Sequence, residues 1–175
     1  HTEMVVDALD AHPEFWEVPD DQKVILSCAA WLHDIGKIKQ TRIVDGEIKA
    51  PHHATVGSRM AREALWLKGL CGEREKMLLR EAIALLIRYH SFPPHAIEIT
   101  DARIRLHSIA SNGLIVPDFS MKLLCMLSRA DMLGHICEDK DEMLLNISLC
   151  EELAKVEHCF DEPFQFPSSY VRRKF

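Results

Sequence analysis

Apolar residues recur at spacings of three and four along most of this 175-residue chain, the period of side chains that share one face of an α-helix. The stretch ending at His90 shows the pattern well. Leu78, Leu79, Ala82, Ile83, Leu86 and Ile87 form a stripe behind the charged turn Glu73-Arg74-Glu75-Lys76, and Ser91-Phe92-Pro93-Pro94 stops it. The same spacing predicts helices over 2–11, from the capping pair Asp20-Asp21 to His33 with Gly36 as its stop, and over 53–68, 101–110, 119–133 and 140–158. Lys37 to Pro51 breaks the pattern, and Asp45-Gly46 there is a turn signal that allows at most a small hairpin. The expected fold is all-α, a single bundle of about six to eight helices over 1–160, followed by a surface tail over 161–175 that carries Arg172-Arg173-Lys174.

Composition narrows what such a bundle can be. With 47% apolar and 27% charged residues, a domain of this length buries roughly 70% of its extended surface, a sufficient core without disulfide or metal staples. A metal here is therefore expected to be functional. A net charge of −6 argues against broad, non-specific binding of nucleic acid but leaves room for a local basic pocket that takes one phosphate. The six cysteines form no CxxC pair and sit mostly in apolar stretches, so they read as reduced core thiols of a cytoplasmic protein. The apolar run Val24 to Leu32 is far shorter than the roughly 20 residues a membrane span needs, and no secretory signal is recognisable. The chain opens at His1-Thr2-Glu3-Met4 already in helical register, which suggests a piece of something longer with an upstream domain.

The informative residues are titratable groups on apolar faces. Asp131 lies seven residues after Leu124 and four after Leu127, so its carboxylate faces inward, where an unpaired charge costs several kcal/mol. An ion pair is the simplest remedy. His33-Asp34 poses the same problem at the end of Ile25 to Leu32, His90 ends another apolar helix and His53 opens one. Helix ends thus deliver imidazoles and carboxylates to places where they can converge, and such mixed ligands suit Mn, Fe, Co, Ni or Zn, whereas oxygen-only sites suit Mg or Ca. Trp16, Trp31 and Trp66 read as packing residues, and His12, His107, His135 and His158 as surface or capping residues.

The order His1, His33-Asp34, His53, His90, Asp131, with Trp31-Leu32-His33-Asp34-Ile35-Gly36-Lys37 and His53-Ala54-Thr55-Val56-Gly57, resembles the HD superfamily of metal-dependent phosphohydrolases. It looks especially like the HD domains attached to tRNA nucleotidyltransferases and to some bacterial ATPase or kinase modules. The resemblance implies that His1, His33, Asp34 and Asp131 bind one divalent ion and that Asp34 bridges to a second, held by His53 and His90. Two ions are expected, with Mn, Fe, Co or Ni favoured over Mg or Zn. His52 is an alternative to His53, but Gly57 follows His53 by four residues as in the family. His95 is a candidate further ligand or phosphate contact, against an ordinary role in a surface loop.

The implied chemistry is hydrolysis by metal-activated hydroxide, with Asp34 as the bridging catalytic carboxylate and Lys37 reaching a phosphate oxygen. Lys37 also fits as a solvated cation at a helix C-terminus, and Arg42 and Arg88 are weaker phosphate candidates. The expected partner is a small phosphorylated substrate: a nucleotide, a cyclic nucleotide or a nucleic-acid end. Two other readings stay open: an HD-type diiron oxygenase, and a non-catalytic, nucleotide-binding regulatory domain of a larger chain.

Overall fold

The computed structural model describes residues 1–167, in which eight α-helices are interspersed with three short 3-10 turns and one hairpin. The helices are α1 (Thr2–Asp10), α2 (Asp20–Leu32), α3 (Lys37–Gln40), α4 (His53–Leu67), α5 (Arg74–Tyr89), α6 (Ala102–Ala110), α7 (Met121–Gly134) and α8 (Lys140–Val156). Strands β1 (Arg42–Val44) and β2 (Glu47–Lys49) pair antiparallel with Ile43 opposite Ile48, and Asp45 and Gly46 take positive φ in the turn between them. The chain is all-α apart from this hairpin. No helix among the described residues is long and apolar enough to cross a membrane.

Helix α7 is the axis of the bundle. Ten of its residues are buried, from Met121 to Gly134, and it packs against α1, α2, α5 and α8. Helix α5 presents the unbroken buried run Ala82 to Ile87, and α4 covers its other side. One apolar cluster runs from Val5 to Cys159, so Asp131 on α7 lies inside the core, 6% exposed. The helical phase read from Leu124 and Leu127 holds.

The structure departs from the expectations of the sequence at several points. Helix α2 stops at Leu32, and His33 to Gly36 form a tight turn that feeds α3, a helix the apolar pattern is too short to reveal. Trp16, Trp31 and Trp66 are 63%, 55% and 52% exposed rather than packed inside. On α2 the buried face is Ile25, Leu26, Ala29 and Ala30, which turns Trp31 outward. Trp66 instead lies under the Arg80 guanidinium, 5.1 Å from the ring centre. All six cysteines are free, but Cys137 is exposed. His107 is no surface histidine: its Nε2 is 2.7 Å from Glu157 Oε2, and its ring stacks on Phe164 with centroids 3.6 Å apart. The first part of the expected tail is therefore pinned against α6, while Arg172-Arg173-Lys174 lies outside the described residues.

Two close backbone approaches set the positions of the elements that carry His33, Asp34, His53 and Asp131. A Cβ on Gly36 would lie 2.0 Å from the carbonyl oxygen of His53 and 2.6 Å from the amide of Gly57, so the turn after α2 touches the first turn of α4. Glycine is required there because any side chain would drive the two apart. A Cβ on Gly134 would meet Val5 Cγ2 at 2.8 Å and Val5 N at 2.9 Å, which brings the end of α7 onto α1. Gly36→Ala should therefore cost at least about 2–3 kcal/mol, since the obstacle is backbone and cannot rotate away. Urea denaturation measures this, and a change within about 0.5 kcal/mol, the range of an inert surface substitution, would refute the packing argument.

Candidate metal centre

Three histidines at helix ends share one local device. His33 caps the C-terminus of α2, His90 caps that of α5, and His53 is the first residue of α4. Each Nδ1–H donates to the carbonyl three residues earlier: His33 to Ala30 at 2.7 Å, His53 to Ala50 at 2.9 Å and His90 to Ile87 at 2.7 Å. A carbonyl only accepts, so Nδ1 holds the proton and the lone pair sits on Nε2. His1 is anchored in the same way across the chain, its Nδ1 lying 3.3 Å from Gly134 O. This is the orientation by a backbone carbonyl that metal-ligating histidines usually have.

The free Nε2 atoms converge on two carboxylates. His1 Nε2 lies 3.1 Å from Asp131 Oδ1 and 3.5 Å from Asp34 Oδ2, and His33 Nε2 lies 3.3 Å and 3.4 Å from the same two atoms. The two nitrogens are themselves 3.4 Å apart. On the other side of Asp34, Oδ1 is 3.4 Å from His53 Nε2, which faces His90 Nε2 at 3.3 Å. Asp34 therefore spans two donor groups, one through each oxygen. Metal–nitrogen and metal–oxygen bonds of about 2.0–2.2 Å place adjacent donors roughly 3.0–3.5 Å apart, so the set fits divalent cations. His1, His33 and Asp34 form one group able to hold a metal, and Asp34, His53 and His90 form another.

The electrostatics show what the cluster demands. Burial alone would lower the pKa of His33, but its hydrogen bonds to Asp131 and Asp34 outweigh that and raise it to about 10. Burial pushes the carboxyl of Asp34 up, whereas His33 and Lys37 together bring it down to about 2. Asp131 is also held below the ordinary carboxylate range, burial being outweighed by His33. His90 is lowered to about 4, chiefly by burial, and so is neutral with its lone pair available. The carboxylate end of the site calls for positive charge, and His90 offers a neutral donor at the other end.

Of the remaining candidates, Lys37 is at the site. Its ammonium lies 2.7 Å from Asp34 Oδ2 as it opens α3, which replaces the solvated helix-end reading. His52 is exposed, in left-handed conformation at the N-cap of α4, and outside the donor groups, so the helix start turns His53 inward instead. His95 is exposed beside Glu98, 3.3 Å away, and joins neither group. Arg42 is exposed on β1, and Arg88 lies over the ring of Tyr89. One residue was missed. His135, read as a surface residue, places Nε2 3.5 Å from Asp131 Oδ1 and its ring 4.1 Å from that of His1. The available signal was its spacing of four from Asp131, one helical turn on the same face. His1, Asp34, Lys37, Gly134 and His135 line a cavity of about 500 Å³ with Thr2, Met4 and Ile136, within the size range of small-molecule sites.

The HD domain family matches residues 1–116, and the chain belongs to that family. HD domains bind divalent metals and fall within a superfamily of metal-dependent phosphohydrolases. No curated protein and no solved structure matches the chain. The family match ends before Asp131 and His135, so geometry alone ties α7 to the site.

Stability without metal should have a pH optimum set by two histidines. His33, raised to about 10, contributes stability that is complete below its unfolded value of 6.5 and is lost as pH climbs towards 10. His90, lowered to about 4, contributes stability that is present above 6.5 and is lost as pH falls towards 4. Thermal unfolding of chelator-treated protein should peak near pH 6.5. Added Co(II) or Mn(II) should flatten the alkaline limb, because a cation replaces the proton on His33. An alkaline limb unchanged by either ion would count against this placement of charge.

Proposed function

We propose that this chain is a two-metal phosphohydrolase acting on a phosphoester of a nucleotide, a cyclic nucleotide or a nucleic-acid end. The observation that carries the reading is Asp34, one oxygen among His1, His33 and Lys37 and the other against His53, the arrangement expected of a bridging carboxylate. His1, His33, Asp34 and Asp131 would hold one ion; Asp34, His53 and His90 would hold the second. Bound divalent ions would lower the pKa of a water towards about 7 and neutralise charge developing on phosphoryl oxygens. The imidazole–carboxylate set favours Mn, Fe, Co or Ni over Mg.

The protein's own groups supply positioning and charge. Lys37, 39% exposed, is flexible enough to exchange Asp34 for a non-bridging phosphate oxygen. Asp131, buried and held ionised, keeps His1 and His33 turned into the site. Met4 and Ile136 on the cavity wall offer apolar surface to the part of the substrate beyond its phosphate. The same reading extends the HD domain to about residue 160, since α7 brings Asp131 and α8 packs along α7.

Purified protein loaded with Mn, Co or Ni should release phosphate or open 2′,3′-cyclic nucleotides in a substrate panel. It should bind two ions per chain, and His53→Ala should reduce that to one. Lys37→Ala should keep both ions and lower kcat by about 10²–10³, the loss typical of one oxyanion-stabilising donor. No turnover above an Asp34→Ala control would overturn the reading. Dioxygen consumption by iron-loaded protein, without phosphate release, would replace it with the oxygenase alternative.

A further inference from the structure

His135 differs from the other imidazoles of the site. His1, His33, His53 and His90 each have Nδ1 against a backbone carbonyl. Among the described residues His135 has no such anchor: its ring meets Asp131 Oδ1 through Nε2 and lies against the ring of His1. It sits just past the last residue of α7 in extended backbone, and exposed Ile136 to Asp139 follow it. Its side chain is 34% exposed, against 0% for His33 and 8% for Asp131. The ring therefore lacks the carbonyl contact that orients the other four.

Its position is nevertheless that of a ligand. Asp131 Oδ1 has three imidazole nitrogens around it: His1 at 3.1 Å, His33 at 3.3 Å and His135 at 3.5 Å. All three separations suit donors sharing one cation. His1, Asp131 and His135 form a further group able to hold a metal, and it shares His1 with the group of His1, His33 and Asp34. His135 also faces the same cavity as Lys37, the side from which a phosphate would arrive.

Resting on the metal-centre reading above, we propose that His135 is a displaceable fifth protein ligand of the cation held by His1, His33, Asp34 and Asp131, and that an incoming phosphate oxygen takes its place. The anchored ligands keep the ion when His135 leaves. An occupied ligand position lowers apparent affinity for the incoming group by the fraction of time it is free. Removing His135 should therefore strengthen phosphate binding, the opposite of what loss of a phosphate-binding cation would do.

The test compares the full chain with its His135→Ala variant, both loaded with Co(II), by visible absorption and by titration with inorganic phosphate. Both proteins should bind the same number of ions and melt at similar temperatures. The phosphate-free spectra should differ, the phosphate-saturated spectra should coincide, and His135→Ala should bind phosphate roughly five- to tenfold more tightly, as expected if His135 occupies its position about 80–90% of the time. Matching phosphate-free spectra would overturn the proposal while leaving the metal centre intact. Weaker phosphate binding would overturn it in favour of a direct His135–phosphate contact. Failure of the unsubstituted protein to take up cobalt would remove the metal-centre reading itself, and the proposal with it.

Discussion

Two pairs of imidazole Nε2 atoms face each other at 3.4 Å and 3.3 Å, His1 with His33 and His53 with His90. Their orientation is fixed because Nδ1 in each ring is committed to a backbone carbonyl. Lone pairs held this close need a proton or a cation between them. Much of the packing serves to bring them together. Gly36 and Gly57 let the His33-Asp34 turn touch the start of α4, and Gly134 lets α7 deliver Asp131 beside α1. Ser128 on α7 donates to the carbonyl of His90 at 2.7 Å while also bonding Leu124 O, which ties the end of α5 to the helix carrying Asp131.

The charge pattern of the chain is less informative than its local arrangement. A net charge of −6 describes the surface, whereas the site concentrates two carboxylates among five imidazoles and one ammonium in partly excluded solvent. Burying Asp131 is tolerable because His1 and His33 face it, and breaking such a set by removing a partner costs more than the set contributes. Two divalent ions would turn the same pocket locally positive. A compact phosphate would suit so local a field better than a long duplex, whose charge extends well beyond the pocket.

The apolar period made the helices legible to within a few residues, because seven of the eight are long enough to show more than two turns of one face. It could not reveal α3, four residues long, nor the outward turn of Trp31, since an exposed aromatic leaves no periodic trace. The site was legible in part for a similar reason. His33, Asp34, His90 and Asp131 stood out as polar groups on apolar stripes, which a burial argument detects from one strand of sequence. The spacing to Gly57 favours His53 over His52, and the first turn of α4 supplies the physical reason, since His53 faces inward while His52 adopts positive φ. His135 left only its spacing of four from Asp131: it lies just beyond the end of α7, about a third exposed, and its relation to His1 spans most of the chain.

That long-range relation bears on whether a bound metal is functional or structural. Helix α1 has nine residues and buries Val5 and Leu9, too little for a helix of that length to persist by itself. Its position is set by contact with α7 and by His1, which is held at Gly134 O and Asp131. A cation bound by His1, His33, Asp34 and Asp131 would join α1, the turn after α2 and α7 through bonds stronger than any of the weak contacts it reinforces. Affinity for the ion and order in α1 are then the same free energy seen from two sides. A core large enough to fold unaided does not exclude this, because the dependence falls on one short helix rather than on the bundle. An ion that served the chemistry would thus also fasten the helix that helps to bind it.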